Sequence, residues 1–137
     1  MIFLVLMSEA KVKSSGVKPL AKIISYADHE LEPIDFSIAP NYAARKAIEK
    51  SGLKMQDIDF FEFNEAFSVV ALANMKLLDI SPEKVNINGG AVAMGHPIGM
   101  SGARLLRALL TAFKKNGGKY GLAGICNGGG GSTSMII

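Results

Sequence analysis

The sequence is poor in the residues that cross-link small proteins or bind metals in them. It has one cysteine, Cys126, and two histidines, His29 and His96, among 137 residues. A single cysteine excludes an internal disulfide framework and is typical of proteins from a reducing compartment. One cysteine and two histidines so far apart in the chain make a weak set of metal ligands, so we predict no metal site.

Long apolar runs and clusters of like charge are also missing. No run approaches the roughly 18 apolar residues of a membrane-spanning helix, so we expect no membrane association. The 15 basic and 12 acidic residues give a net charge of +3 and are scattered along the chain. Nucleic-acid binding needs a basic face interleaved with aromatic side chains, so no nucleic-acid partner is expected. The 49% of hydrophobic residues favour one globular domain with a hydrophobic core.

The sequence does contain an alternation of strand-like and helix-like segments. Short apolar runs predict strands, and apolar residues at helical spacing predict amphipathic helices. Their order, β-α-β-α-β-α-β-β, favours an α/β fold, namely a three-layer α/β/α arrangement around a five-stranded mixed sheet. The predicted strands are 20–26, 59–63, 85–88, 120–126 and 132–137, and the predicted helices are 40–50, 65–79 and 101–116.

Two finer predictions concern the first segment and the last helix. Residues 2–7 form a continuous apolar run, which predicts a strand buried on both faces. Such a strand is a liability when it has no partner, so we expect it to pair with another chain or to promote association. In the last helix, the apolar side chains at positions 103, 106, 110 and 113 are predicted to face the core, and Arg104 is predicted to face water.

Three polar side chains follow predicted strands and are candidates for chemistry. In open α/β sheets, ligands bind beyond the carboxyl ends of the strands, where Asn64, His96 and Cys126 are expected. The glycine-rich stretch 89–102 surrounds His96, and residues without a Cβ let the backbone approach a ligand closely. An imidazole in such a pocket can act as a base, and a thiol can act as a nucleophile or an acid-base group.

Each candidate also has a purely structural interpretation. Asn64 could cap the following helix, His96 could be structural, and Cys126 could be a small buried hydrophobe. Other functional motifs fit poorly: the glycines lack the Lys and Ser/Thr of a phosphate loop, and NGGGG at 127–131 leads into a strand, unlike a dinucleotide-binding turn. Nothing around Cys126 matches the local signature of papain-like proteases.

Three motifs in this order resemble one enzyme family. NEAF at 64–67, GGAVAMGHPIGMSGAR at 89–104 and CNGGGG at 126–131 are similar to motifs in the C-terminal half of thiolases, specifically those of the acetoacetyl-CoA type. The resemblance implies reversible Claisen condensation of two acetyl-CoA molecules through an acyl-cysteine. It further implies coenzyme A thioesters such as acetyl-CoA and acetoacetyl-CoA as substrates and no tightly bound cofactor.

The resemblance assigns roles to individual residues. His96 is similar to the histidine that activates the nucleophilic thiol and helps to bind the thioester oxygen, and Asn64 to the residue that holds a water in that oxyanion hole. Cys126 is similar to the second cysteine, which removes the α-proton of acetyl-CoA. The N–H of Gly128 is similar to a donor of a second oxyanion hole.

The family also suggests substrate contacts and a domain division. Ala66 and Phe67 correspond to residues near the pantetheine arm, and Phe36 to an apolar residue of the acyl pocket. Residues 1–15 resemble the last strand and linker of a missing N-terminal thiolase domain, and residues 16–137 resemble the C-terminal domain. The nucleophilic cysteine belongs to the missing half, so we expect the chain alone to be inactive.

The partners implied are the missing N-terminal half or another thiolase subunit, with formation of homo-oligomers left open. The implied compartment is the mitochondrial matrix or the cytosol. An alternative is a truncated, non-catalytic homologue that acts as an interaction module. An assay of the chain with and without an N-terminal half distinguishes the two.

Overall fold

A computed structural model describes residues 2–137 and contains a four-stranded mixed sheet with helices on both faces. The strands are β1 (Ser25–Glu30), β2 (Phe60–Phe63), β3 (Gly121–Cys126) and β4 (Gly131–Ile136). The helices are α1 (Glu9–Ser15), α2 (Ala39–Ser51), α3 (Ser68–Leu78), the short α4 (Ala91–Met94) and α5 (Ser101–Asn116).

The strand order is β1-β4-β3-β2, with β2 parallel to β3 and β4 antiparallel to both of its neighbours. Alternate side chains of β3 enter two separate cores, because successive residues of a strand point to opposite faces. Leu122 packs in the core that α2 and α3 cover, whereas Ala123 packs with Leu105 and Leu109 of α5. This arrangement agrees with the predicted α/β class and its mixed sheet.

The prediction of a fifth strand at 85–88 is wrong. This segment makes one parallel bridge, between Val85 and Phe61, and Asn86 then turns the backbone into the left-handed region with a φ of 48°. The side chain of Asn86 replaces the next backbone pair: its Oδ1 accepts from the Phe63 N–H, and its Nδ2 donates to the Phe63 carbonyl, each at 2.9 Å. The segment is therefore held at the sheet edge by a side chain and leaves the sheet at once.

The first two predicted strands also differ from the structure. β1 begins only at Ser25, which pairs with Ile136 at the end of β4, so residues 20–23 lie beyond the end of their potential partner. Residues 2–7 form no regular secondary structure, and the side chains of Phe3, Val5 and Leu6 are largely exposed. A strand requires a neighbour for its backbone hydrogen bonds, and within residues 2–137 none lies beside this segment.

Helices α2 and α5 occur where they were predicted. Leu106, Leu110 and Phe113 of α5 pack against the core as predicted, but the most buried positions of α5 lie on the adjoining face. Pro40 lies in the first turn of α2, and Gly52, with a φ of 73°, ends it. The buried positions of α5 are 101, 104, 105, 109 and 112, whereas 103, 106, 110 and 113 are only half-buried. Arg104 is 6% exposed instead of facing water, because its guanidinium reaches polar groups at the end of β2.

No helix among residues 2–137 combines the length and apolar character needed to cross a bilayer.

Candidate active site

Asn64 lies directly beyond the carboxyl end of β2 and is completely buried. Its backbone N–H donates to the Gly124 carbonyl of β3 at 2.9 Å, which continues the parallel pairing by one bond. The side-chain amide of Asn64 points to neighbours from other elements and caps no helix, since α3 begins only at Ser68 without a side-chain cap. The helix-cap interpretation of Asn64 is therefore wrong.

A chain of side-chain hydrogen bonds runs through Asn64. Arg104 Nη2 donates to Asn64 Oδ1 at 2.9 Å, and Asn64 Nδ2 lies 3.3 Å from His96 Nε2. On the other side of the ring, His96 Nδ1 lies 2.5 Å from Ser101 Oγ, and that hydroxyl donates to the Pro97 carbonyl at 3.1 Å. Two of the sequence-predicted candidates, Asn64 and His96, are thus in direct contact.

The carboxylate of Glu65 ties the two motifs together. One oxygen accepts from the Val92 N–H and the other from Asn86 Nδ2, both at 3.0 Å. Gly90 passes so close to this carboxylate that a Cβ would lie 2.3 Å from Glu65 Cδ. Gly90 thus permits the close approach that holds α4, and with it the loop that carries His96, against the end of β2.

Cys126 ends β3, the strand next to β2, and is 8% exposed. Burial raises the pKa of its thiol above the ordinary range. The thiol makes no hydrogen bond to Asn64 or His96 within the described chain. The three candidates lie at the same carboxyl end of the parallel strands β2 and β3, but only Asn64 and His96 are in hydrogen-bond contact.

The loop after Cys126 is organised by the side chain of Asn127, whose Oδ1 accepts from the N–H groups of Gly129 and Gly131 at 3.0 and 3.3 Å. The Gly128 N–H donates no hydrogen bond within residues 2–137 and lies at an exposed position. It is thus an uncommitted donor two residues beyond the cysteine, as an oxyanion contact requires.

We expect Gly130→Ala to destabilise the fold by about 1–3 kcal/mol, because Gly130 has a φ of 92° and left-handed backbone is strained for other residues. A Cβ here would also lie 2.1 Å from the Leu31 carbonyl oxygen, a backbone atom that cannot move aside alone. Urea unfolding measures the loss. Gly128→Ala is the matched control, since nothing lies within 4 Å of its Cβ, and equal stabilities of the two variants would contradict the argument.

The predicted substrate-contact residues Phe36, Ala66 and Phe67 form an apolar rim beside Asn64. The rings of Phe36 and Phe67 meet edge to face, with centroids 6.1 Å apart, and Phe67 is 61% exposed. Ala66 follows Asn64 closely, since its N–H donates to the Asn64 carbonyl at 2.9 Å. The side chain of Phe67 is therefore available to an apolar ligand, and Phe36 lies beside it.

Cavity volume does not locate the site. A cavity of about 430 Å³ lies at the amino end of β3 beside Tyr120, at the far end of the strand from Cys126. Within residues 2–137, no three His, Cys, Asp or Glu side chains are arranged to hold a metal ion. The candidate site is an open surface at the strand ends, on which His96 is exposed.

Sequence reasoning missed Arg104, Ser101 and Glu62. Glu62 of β2 is 1% exposed, and burial is the main reason that its pKa is raised to about 7. The positive charge of Arg104 lowers this pKa, and the negative charge of Glu65 raises it by a smaller amount. One Glu62 oxygen and two Arg104 nitrogens, Nε and Nη1, are buried without a hydrogen-bond partner among the described residues. The sequence pattern that could have identified Ser101 and Arg104 as buried is their helical spacing, which places them on one face of the helix with Leu105 and Leu109.

Comparison with known proteins gives consistent matches. Residues 17–137 match the family described as thiolase, C-terminal domain. The chain is 58% identical over 133 residues to the mitochondrial acetyl-CoA acetyltransferase of Bos taurus, covering 97% of this chain and 31% of that protein. It is 54% identical over 134 residues to acetyl-CoA acetyltransferase IA of Candida tropicalis, covering 98% and 33%.

Solved structures give the same picture. The Acat5 thiolase of Ascaris suum in complex with coenzyme A superimposes with a TM-score of 0.89 at 46% identity, over 94% of this chain and 33% of that one. The acetyl-CoA acetyltransferase of Bacillus anthracis superimposes with a TM-score of 0.91 at 42% identity, over 95% and 33%. The chain thus spans about a third of the length of the relatives that it matches.

Proposed function

The chain belongs to the thiolase family, as a C-terminal thiolase domain of the acetyl-CoA acetyltransferase type, and we propose that it supplies the acid-base and oxyanion-binding part of a thiolase active site. The proposed reaction is the reversible Claisen condensation of acetyl-CoA, with thiolysis of acetoacetyl-CoA as its reverse. The observation that carries the proposal is the contact of Asn64 with His96 beyond β2, beside the strand that ends in Cys126.

In the proposed first half-reaction, His96 and Asn64 act on an acyl-cysteine. His96 accepts the proton of the nucleophilic thiol at Nε2, so the S–H bond breaks and a thiolate is left to attack the thioester carbonyl. The C–S bond to coenzyme A then breaks, and coenzyme A leaves with the proton that His96 holds. The Asn64 amide, through a water, and the protonated His96 ring then donate hydrogen bonds to the oxygen on which negative charge develops. The direct contact of 3.3 Å between Asn64 Nδ2 and His96 Nε2 supports a joint role of the two groups at one place.

In the proposed second half-reaction, Cys126 acts as the acid-base group. An α-proton of a thioester is only weakly acidic, so its removal needs a base near the carbon and donors near the enolate oxygen. The Cys126 thiolate takes the proton, and the uncommitted N–H of Gly128 stabilises the enolate oxygen. The enolate carbon then attacks the carbonyl of the acyl-cysteine, and the C–S bond breaks to release the nucleophilic cysteine as a thiolate. Because burial raises the pKa of this thiol in the chain alone, the full site must supply positive or hydrogen-bonding groups that favour the thiolate.

The proposed substrates are the coenzyme A thioesters, with no tightly bound cofactor. Ala66 and Phe67 line the path of the pantetheine arm, and Phe36 lines the acyl pocket. The residues proposed to contact substrate all belong to the rim beside Asn64, and we expect the affinity of this chain for coenzyme A to be weak. The proposal puts the chain in the mitochondrial matrix or the cytosol.

The nucleophilic cysteine comes from elsewhere in this proposal, because the 137 residues contain only Cys126. We propose that residues 16–137 are the C-terminal domain and that residues 1–15 connect it to an N-terminal thiolase half or lie against one. A shallow apolar groove of about 200 Å³ between α5 and the sheet is available for that contact, and it is lined by Gly102, Leu105, Leu106, Ala123, Ile125, Thr133 and Met135. A second copy of the chain could also occupy this groove.

The test is acetoacetyl-CoA thiolysis in three preparations. The first is the purified chain, the second is the chain mixed with the N-terminal part of the Bos taurus relative, and the third is a chimera in which this chain replaces the matching C-terminal third of that relative. We expect no turnover from the chain alone and turnover from the chimera, with the parent enzyme as reference. Turnover by the chain alone would contradict the missing-nucleophile argument, and a folded but inactive chimera would contradict the proposed roles.

A second candidate function is that of a non-catalytic module that binds a thiolase subunit. The exposed side chains of Phe3, Val5 and Leu6, together with the apolar groove beside α5, favour it. Stable binding in the mixture, with no turnover in the mixture or the chimera, would support this candidate over the catalytic one.

A further inference from the structure

We propose that Arg104 is a positioning residue that acts through the Asn64 amide to fix the His96 ring in one tautomer, with its proton on Nδ1 and its lone pair on Nε2. The inference rests on the proposed function for the use of that lone pair. The tautomer itself is a property of the folded chain, which can be measured without catalysis.

Arg104 fixes the orientation of the Asn64 amide. A guanidinium can only donate hydrogen bonds, so the atom of Asn64 that faces Arg104 Nη2 at 2.9 Å must be the oxygen. The amide is thereby oriented, and its NH₂ group is the part 3.3 Å from His96 Nε2. An NH₂ group donates, so Nε2 must accept and therefore carries no proton in the neutral ring.

Ser101, at the other end of the chain of hydrogen bonds, favours the same tautomer of His96. The Ser101 hydroxyl has one proton, which it donates to the Pro97 carbonyl of the preceding turn at 3.1 Å. When the hydroxyl donates to Pro97, Ser101 Oγ accepts from the ring nitrogen 2.5 Å away, which agrees with the tautomer that the Asn64 amide requires. His96 Nδ1 therefore carries the proton, and the bonds run in one direction from Arg104 to Pro97.

Burial keeps the arginine in place. Arg104 is 6% exposed and Asn64 is fully buried, so the amide cannot turn over and find water as an alternative partner. Glu62, two residues before Asn64 on β2 and 1% exposed, is a buried acidic side chain that attracts the guanidinium when it is ionised. Turning the amide over would place its NH₂ group against a donor-only cation.

The consequence for the proposed reaction is that the basic nitrogen of His96 is ready before the substrate arrives. Free histidine in water favours the opposite tautomer, with the proton on Nε2. In that tautomer Nε2 has no lone pair with which to accept the proton of a thiol. The lone pair on Nε2, which accepts from the Asn64 NH₂ group in the chain alone, can accept the thiol proton once that NH₂ group donates to the bound water instead. After accepting the proton, the ring can donate to the thioester oxygen. No rotation of the ring is needed between these two steps.

The tautomer is measured by long-range ¹H–¹⁵N correlation spectra of the chain labelled with ¹⁵N-histidine. The chain has only two histidines, so His29, on β1 at the opposite edge of the sheet, is an internal control in every spectrum. At a pH where the ring is neutral, we expect His96 Nδ1 to have the shift of a protonated nitrogen and Nε2 that of an unprotonated one. The reverse pattern in the unmodified chain would overturn the proposal.

Two variants test the role of Arg104. Gln at position 104 offers both a donor and an acceptor, so Arg104→Gln should remove the single orientation of Asn64 and bring the two nitrogen shifts of His96 toward each other, with no change at His29. Lys is donor-only, so Arg104→Lys should restore the original pattern. A folded Arg104→Gln chain with unchanged His96 shifts would overturn the proposal.

The far end of the network gives an independent readout if substitution of the arginine prevents folding. Ser101→Ala removes the acceptor of the Nδ1 proton, so the tautomer of His96 with its proton on Nε2 should become more populated. Unchanged His96 shifts in this variant would also overturn the proposal. The spectra need no turnover, so they separate the two proposals. An inactive chimera in which His96 carries its proton on Nδ1 would count against the proposed function alone. An active chimera in which His96 carries its proton on Nε2 would count against this inference alone.

Discussion

His96→Gln should lower kcat/KM for acetoacetyl-CoA thiolysis by about 10²–10⁴-fold, the usual contribution of a positioned acid-base group. That loss corresponds to about 3–5 kcal/mol of transition-state stabilisation. Glutamine can still donate a hydrogen bond from the position of the ring, but it cannot take up the proton of a thiol. The loss is therefore expected to appear in the formation of the acyl-cysteine, and the overall fold should be unaffected because residue 96 is exposed.

The measurement uses the chimera of this chain with the N-terminal part of the Bos taurus relative, since the assay needs a nucleophilic cysteine. His29→Gln is the matched control. His29 stacks on Tyr42 with ring centroids 4.8 Å apart and lies on β1, at the edge of the sheet remote from β2. We expect this control to stay within a few-fold of the parent chimera. If the two variants lost activity equally, the effect would be one of folding and His96 would not be the base.

Local signals in the sequence predicted the parts of the fold that depend on neighbouring residues. Pro40 and Gly52 delimit α2 by their own backbone restrictions, and the apolar spacing of α5 is a property of that segment alone. The positions of Asn64 and Cys126 were also accessible, because parallel strands end at the same edge of a sheet. The thiolase family itself could be predicted from three motifs, and the comparisons confirm it.

The failures came from contacts between distant residues. The segment 85–88 alternates like a strand, but the Asn86 side chain pairs with the Phe63 backbone, 23 residues earlier in the chain. Arg104 looked like a surface residue of an amphipathic helix because its acceptor, Asn64, lies 40 residues away. A side chain that substitutes for a backbone partner, or a charge that is buried against a remote amide, leaves no periodic signal for a reader of the sequence to find.

The protonation of Glu62 should make the stability of this chain depend on pH. The folded-state pKa of about 7 lies above the ordinary value of 4.5, chiefly because burial disfavours the carboxylate. Between these two values the folded chain holds a proton that the unfolded chain has released, so the free energy of unfolding falls as the pH rises. The contribution is fully present below about pH 4.5 and is lost through pH 7, and it amounts to about 3 kcal/mol.

Glu62→Gln should remove this dependence, since glutamine imitates the protonated carboxyl at every pH. Urea unfolding at pH 5 and pH 8 should therefore give a smaller loss of stability in the variant than in the parent chain, by about 2–3 kcal/mol. Glu83→Gln, at an exposed position, should keep the parental pH dependence. The Arg104 charge acts in the opposite direction, by favouring the carboxylate. If that attraction outweighed burial, the parent would gain stability relative to Glu62→Gln as the pH rose, and the assignment of Glu62 as a largely protonated group would be wrong.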